Sequence, residues 1–200
     1  FPDTDKIAPE EMIHLLQYAS PRGLFQWAQV YNLYQKAFPA SEKKPFSIIL
    51  KKYHERKTHI WRFTREGKFA GLIITINGEQ HVLLDYLAVE EDRRGTGIGT
   101  EILGLMRQQY AGKDVFLEIE SVYEECENKQ QRLRRKHFYE KCGMKSMEVF
   151  VWLFGVKMEL LGSRCSLNFE DYRNFYEKYY SPWAAKHILE DESYGKRIDA

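Results

Sequence analysis

Residues Leu87-Ala88-Val89-Glu90-Glu91-Asp92-Arg93-Arg94-Gly95-Thr96-Gly97-Ile98-Gly99-Thr100 decide how this chain folds. An apolar strand pattern ends there in a basic, glycine-rich turn, and a helical pattern starts directly after it. Gly95, Gly97 and Gly99 remove the Cβ atoms that would hold a ligand off the backbone, and the N–H groups at the start of the helix then face whatever anion sits there. Arg93 and Arg94 add fixed positive charge beside those donors. The stretch reads as a phosphate-binding loop, with a glycine-rich turn that merely caps a helix as the alternative for so short a motif.

The spacing excludes two well-known glycine loops. A dinucleotide fingerprint needs Gly-x-Gly-x-x-Gly directly after a strand, whereas the glycines here run Gly-x-Gly-x-Gly behind an acidic and basic loop. A Walker-type loop ends in Gly-Lys-Ser/Thr, and Gly99-Thr100-Glu101 has no lysine. The segment does resemble the acyl-CoA-binding signature of the GNAT superfamily of N-acetyltransferases, Arg/Gln-x-x-Gly-x-Gly/Ala, met by Arg94, Gly97 and Gly99. Three further blocks stand in the family's order. Leu87-Ala88-Val89 matches the triplet of the signature strand, and Leu117-Glu118-Ile119 followed by Phe138-Tyr139-Glu140-Lys141-Cys142-Gly143-Met144 matches the downstream strand and helix end.

The elements around the loop follow from periodicity. Pro9 opens a helical pattern with Met12, Leu15, Leu16 and Ala19 on one face, and a second runs through Trp27, Val30, Tyr31, Tyr34 and Phe38. Pro39 to Pro45 reads as a loop and Ser47 to Arg56 as a helix. Strands are predicted at Thr58 to Thr64, Phe69 to Ile76 and, past the hairpin signal Asn77-Gly78, His81 to Val89. After the glycine loop come a helix with Ile98, Ile102, Leu105 and Met106 inward, a strand from Asp114 to Ile119, a helix from Asn128 to Lys141, and a hairpin around Gly155. The expected fold class is α/β (α+β): a mixed, mostly antiparallel twisted sheet with helices on both faces, which is also the GNAT-like architecture that the resemblance implies. Two departures from the family stand out: no short strand is readable ahead of Trp27, and a charge-rich insertion, Glu124 to Lys136, precedes the Tyr139 block, so that Asn128 is a poor match for the family's asparagine.

With 200 residues, 44% hydrophobic and 30% charged, the chain can bury one sizeable core, so residues 1–162 are expected to form one domain with the segment 163–200 packed on it. A formal charge of +1 sets up no field for nucleic acid, and the cations Arg132, Arg134, Arg135, Lys136 and His137 read as a solvated helix face beside many glutamates. Cys126, Cys142 and Cys165 have neither disulfide nor zinc spacing, which suits reduced thiols in a cytoplasm. The longest apolar run, Val149 to Val156, is too short to span a bilayer, and His54 and His59 do not form a helical metal pair, so neither membrane nor metal is expected. In the tail, Tyr172, Phe175, Tyr176, Tyr179, Tyr180 and Trp183 form an aromatic stripe on a helix capped by Asn168, to be covered by the body of the protein or by a second subunit in a homodimer, with an aromatic substrate groove as the sharper alternative.

The resemblance implies acetyl-CoA as co-substrate and an amine as acceptor. The thioester carbonyl would lie at the backbone N–H of Val89, next to Leu87 and Ala88, and the pyrophosphate on Gly95, Thr96, Gly97, Ile98, Gly99 and Thr100. Arg94 would order the turn and add charge, or else pair with Asp92 at the surface. Tyr139 matches the tyrosine that protonates the departing thiolate, a task suited to a phenol that is protonated at neutral pH. Glu118 and Asp85 both match positions of a general base, and the choice between them is open; with Glu42 and Glu120 they would favour a cationic amine. Acetyl transfer by direct attack in a ternary complex is thus the expected function. The rivals are a catalytically silent acyl-CoA sensor or interaction module and a nucleotide-phosphate binder.

Overall fold

The computed structural model describes residues 16–40, 42–164 and 167–193. They fall into two compact units, one built from the chain up to Thr75 together with Asp85–Ala111, the other from Ile76–Leu84 and everything from Gly112 onward.

The first unit contains β1 (Gln17–Ala19), α1 (Gly23–Ala37), α2 (Phe46–His54), β2 (Thr58–Arg65), most of β3 (Lys68–Asn77), the second half of β4 (His81–Val89) and α3 (Ile98–Gln109). Its strands lie in the order β1-β2-β3-β4. β1 corrects the sequence reading: Leu16 and Ala19 do not continue a helix, and a short strand does precede Trp27, paired antiparallel with β2 through Tyr18↔Phe63. Met12 and Leu15 lie outside the described residues. Three residues are too few to show an alternating pattern, and what holds this edge strand is the Tyr18 ring, 5.4 Å from Trp61 and 5.6 Å from Phe63. α1 buries Val30, Leu33 and Tyr34, leaving the predicted Tyr31 exposed. α3 buries Leu103 rather than Leu105, beside Ile98, Ile102 and Met106. β3 is buried without interruption from Ala70 to Ile76, as a strand covered on both faces must be.

The second unit starts with a parallel ladder between β4 and β5 (Asp114–Glu120), His81↔Asp114, Val82↔Val115 and Leu83↔Phe116. β6 (Lys145–Leu153), β7 (Val156–Gly162) and β8 (Ile188–Glu190) then add antiparallel pairs, giving the order β4-β5-β7-β6-β8. The sheet is therefore mixed and mostly antiparallel, as the element pattern predicted. The core joins Phe116, Leu160 and Val151 to Tyr172, Phe175 and Tyr176 of the C-terminal segment. In that segment Asn168 caps α5 (Phe169–Phe175) by accepting from the Asp171 N–H at 2.8 Å. A wide helical turn follows at Tyr176–Tyr180, after which Ser181 turns extended and caps α6 (Pro182–Ala185). That break ends the aromatic stripe: Tyr172 and Tyr176 are fully buried, whereas Trp183 is 64% exposed.

α4 (Lys129–Lys141) is held differently, because Tyr139 is its one buried residue. Arg132 binds Glu120 at 2.7 Å, and Lys136 donates to both carboxylate oxygens of Glu159 at 2.8 Å. Arg134 and His137 are the members of the predicted solvated cluster that do face water. The others are pulled inward by acids on the strands.

Candidate functional site

Val89 ends β4 and a short 3-10 turn at Glu91–Arg93 redirects the chain. Gly95 and Gly97 then take φ values of +77° and +85°, and α3 starts at Ile98 with Gly97 as its cap. A Cβ at either glycine would meet nothing within 4 Å, so backbone conformation, not crowding, demands glycine, and the space above the turn is open. No side chain caps the helix start, and Gly95, Thr96, Gly97 and Thr100 are exposed. Arg94 donates from Nε to the Val89 carbonyl at 3.2 Å, and Thr96 Oγ1 donates to the Arg93 carbonyl at 2.7 Å. Both bonds tie the turn to itself.

Gly71 was not singled out in the sequence. A Cβ there would stand 2.6 Å from the Ala88 carbonyl and 3.2 Å from Ile102 Cδ1, so β3 packs against the signature strand and α3 only because the side chain is missing. The available signal was a lone glycine inside an apolar strand pattern, which marks a close backbone approach. Gly71→Ala is expected to cost about 1–3 kcal/mol through forced backbone shifts, read as a lower urea midpoint with an unchanged slope.

Asp85 lies on β4 in the same unit as the turn. Its Oδ1 accepts from the Lys44 ammonium at 2.6 Å, and its side chain is 7% exposed. Lys44 is brought there by two buried phenols. Tyr34 OH donates to the Lys44 carbonyl at 2.8 Å, while Tyr86 OH accepts from the Lys44 N–H at 3.0 Å and donates to the Glu42 carbonyl at 2.9 Å. Burial, followed by the charge of Asp85, pushes the Tyr86 phenol far up, so it stays a neutral donor. The loop that reads as polar and unstructured is thus fastened to β4.

Glu118 and Tyr139 lie in the second unit. The β5 register sets Glu118 opposite Leu160. Its Oε1 accepts from Tyr172 OH at 2.7 Å and from Tyr176 OH at 2.8 Å, two members of the aromatic stripe that no sequence spacing ties to Glu118. Glu120, two residues on, is taken by Arg132, with Arg135 3.5 Å away. Of the four acids expected to attract a cationic amine, Asp85 and Glu120 are therefore already neutralised.

Tyr139 is 9% exposed near the end of α4. Burial pushes its phenol up to about 12, with Arg135 opposing and Cys142 adding to the shift; no hydrogen bond contributes. A hydroxyl of that kind keeps its proton at neutral pH and has it available for an incoming anion. Asn128 sits at the N-cap position of the same helix without a side-chain capping bond, and its Oδ1 accepts from Arg132 Nε at 2.9 Å.

Among the described residues no group of three His, Cys, Asp or Glu is arranged to hold a metal, and no helix is long and apolar enough to cross a membrane. Cys126 and Cys142 take part in no disulfide; Cys165 lies outside the described residues. An open cleft of about 550 Å³ on the first unit, lined by Leu24, Trp27, Tyr31, Phe46, Leu50 and His54 among others, contains none of the predicted site residues.

Comparison with known proteins adds three findings. The family model described as Acetyltransferase (GNAT) family matches residues 27–144. YjbC of Bacillus subtilis (strain 168), described as an acetyltransferase, is 31% identical over 122 residues, which is 54% of this chain and 56% of that protein, so the alignment spans about half of each. Among solved structures, a GNAT-family protein from Bacteroides thetaiotaomicron superposes with a TM-score of 0.68 at 19% identity, covering 86% of this chain and 98% of that one. An aminoglycoside 6'-N-acetyltransferase complexed with coenzyme A gives a TM-score of 0.58 at 15% identity over 74% of this chain and 95% of that one.

Proposed function

The chain belongs to the acetyltransferase (GNAT) family, and from that premise we propose that it transfers the acetyl group of acetyl-CoA to a primary amine, on a small molecule or a peptide, by direct attack in a ternary complex. The observation that carries the reading is the open turn from Arg94 to Thr100, whose left-handed glycines expose main-chain N–H groups at the start of α3. These groups take the pyrophosphate of the coenzyme. The Val89 N–H polarises the thioester carbonyl, with Leu87 and Ala88 beside the pantetheine arm.

In the reaction the neutral amine forms a bond to the acetyl carbon, the carbon–sulfur bond breaks, and Tyr139 gives its proton to the departing thiolate. The proton lost by the amine goes to a carboxylate. We assign this role to Glu118 in preference to Asp85, because an ammonium already occupies Asp85 at 2.6 Å whereas Glu118 Oε1 is held by neutral hydroxyls. No metal takes part in these steps.

Thermal unfolding with coenzyme A, ATP and NAD separates this reading from a nucleotide binder. At ~100 times its dissociation constant a ligand adds about 2.7 kcal/mol, a rise of several degrees at roughly 2–4 °C per kcal/mol, expected for coenzyme A alone. Free-thiol release from acetyl-CoA with a polyamine, an aminoglycoside and a peptide amino terminus then tests transfer. Tight coenzyme binding with no transfer to any amine would instead favour a silent binding module.

Gly97→Val probes the same turn. A β-branched residue in left-handed backbone costs about 1–2 kcal/mol and walls off the N–H groups, so the midpoint should fall and the stabilisation by coenzyme A disappear. Gly67→Val is the control: its φ is +71° with open space around it, so a similar loss of stability should leave the coenzyme effect intact.

A further inference from the structure

We infer that Tyr172 and Tyr176 are positioning residues for Glu118, so that the C-terminal helix, outside the stretch matched by the family model, forms part of the catalytic apparatus; this rests on the assignment of Glu118 as the base. Both phenols donate to the same oxygen, Oε1, at 2.7 and 2.8 Å, and both rings are fully buried. Convergence of two rigid donors on one atom restricts the side-chain torsions of Glu118. Both of these donors are neutral, in contrast to the Lys44 ammonium on Asp85.

The scaffold that aims the phenols is itself well fastened. Asn168 caps the helix, the Phe175 ring meets Phe116 edge-on at 5.1 Å, and Tyr172 and Tyr176 pack against each other at 5.2 Å across one helical turn. Phe175 Cε2 also lies 2.8 Å from where a Cβ of Gly78 would be, so the helix sits close to the hairpin leading into β4. Simple anchoring of a helix needs the aromatic faces alone. It does not need two hydroxyls spent on one strand carboxylate in an otherwise apolar cluster.

The test is a mutant cycle on the full chain, with Tyr172→Phe, Tyr176→Phe, both together, Glu118→Gln, and Glu118→Gln combined with each. Turnover is followed as free thiol from acetyl-CoA with spermidine, an aminoglycoside and an alanine-terminated peptide. Glu118→Gln is expected to lower kcat by roughly 10²-fold or more. The paired Tyr→Phe variant is expected to lower kcat by about tenfold while KM for acetyl-CoA stays within about twofold, and to have no further effect once Glu118 is Gln, since coupled residues are non-additive. The single variants, which each keep one phenol, give the same information at half strength if the pair fails to fold.

If Glu118→Gln loses activity while the Tyr→Phe variants keep their full kcat, or if the losses simply add, the phenols only pack and the inference is overturned. If Glu118→Gln retains full turnover, the assignment of the base fails, and the inference with it.

Discussion

Tyr139→Phe is expected to lower kcat for acetyl transfer by roughly 10²–10⁴-fold, the usual worth of a positioned proton donor, with little change in KM for acetyl-CoA. The ring stays and the lost hydroxyl has no hydrogen bond contributing to its shift, so the fold should not notice the substitution near neutral pH. Steady-state kinetics at saturating amine beside a thermal melt reads both quantities. The pH dependence gives an independent check. The phenol is raised to about 12 in the folded chain, against about 10 when unfolded, because burial disfavours the charged form. Between these values the folded state binds more protons than the unfolded one, so this contribution to stability is complete below pH 10 and lost as the pH rises through 12. The wild type should therefore lose melting temperature faster than Tyr139→Phe above pH 10. Equal alkaline slopes would mean that the phenol is not buried as described.

Glu159→Ala should destabilise the second unit by about 3–5 kcal/mol, because it leaves the Lys136 ammonium with a lost partner in a nearly dry position. Glu159 is fully buried and Lys136 is 13% exposed at its side chain. Burial alone would lower the lysine, yet its bonds to Glu159, with Tyr123 adding to them, hold its pKa above the ordinary value. Urea unfolding measures the loss. Adding Lys136→Met should recover most of it, because removing both charges removes the penalty as well as the attraction. The effect reaches function through spacing on the helix: Lys136 and Tyr139 are three residues apart, on one face of α4. Loosening the ion pair should therefore lower kcat at temperatures where the protein is still folded. A loss under about 1 kcal/mol in Glu159→Ala would show that the pair is open to water.

Much of this was legible in the chain because local rules act over short distances. The hairpins at Gly67 and Gly155, the strands on either side of them and the glycine turn are each specified by a few adjacent residues, and the structure places them within one or two positions of the prediction. What was missed has a common cause. β1 is three residues long and is recognised through Tyr18 lying on Trp61 and Phe63, more than forty positions away. α4 lacks an apolar stripe, so its basic face looked solvated, and the carboxylates that draw it inward stand on β5 and β7. Lys44 lay in a polar loop with no pattern to connect it to Asp85.

The sequence by itself determined the family and the strand-to-helix turn with its glycines, since these depend on backbone conformation and residue type at near-contiguous positions. Tertiary structure decided which acid is tied to an ammonium and which to phenols. That choice depends on groups between 41 and 58 residues apart in the chain, Lys44 with Asp85 and Tyr176 with Glu118, and no periodic pattern encodes a meeting over such a distance. Only packing of the strands and helices brings the partners within hydrogen-bonding reach, and only there does burial make each pairing matter.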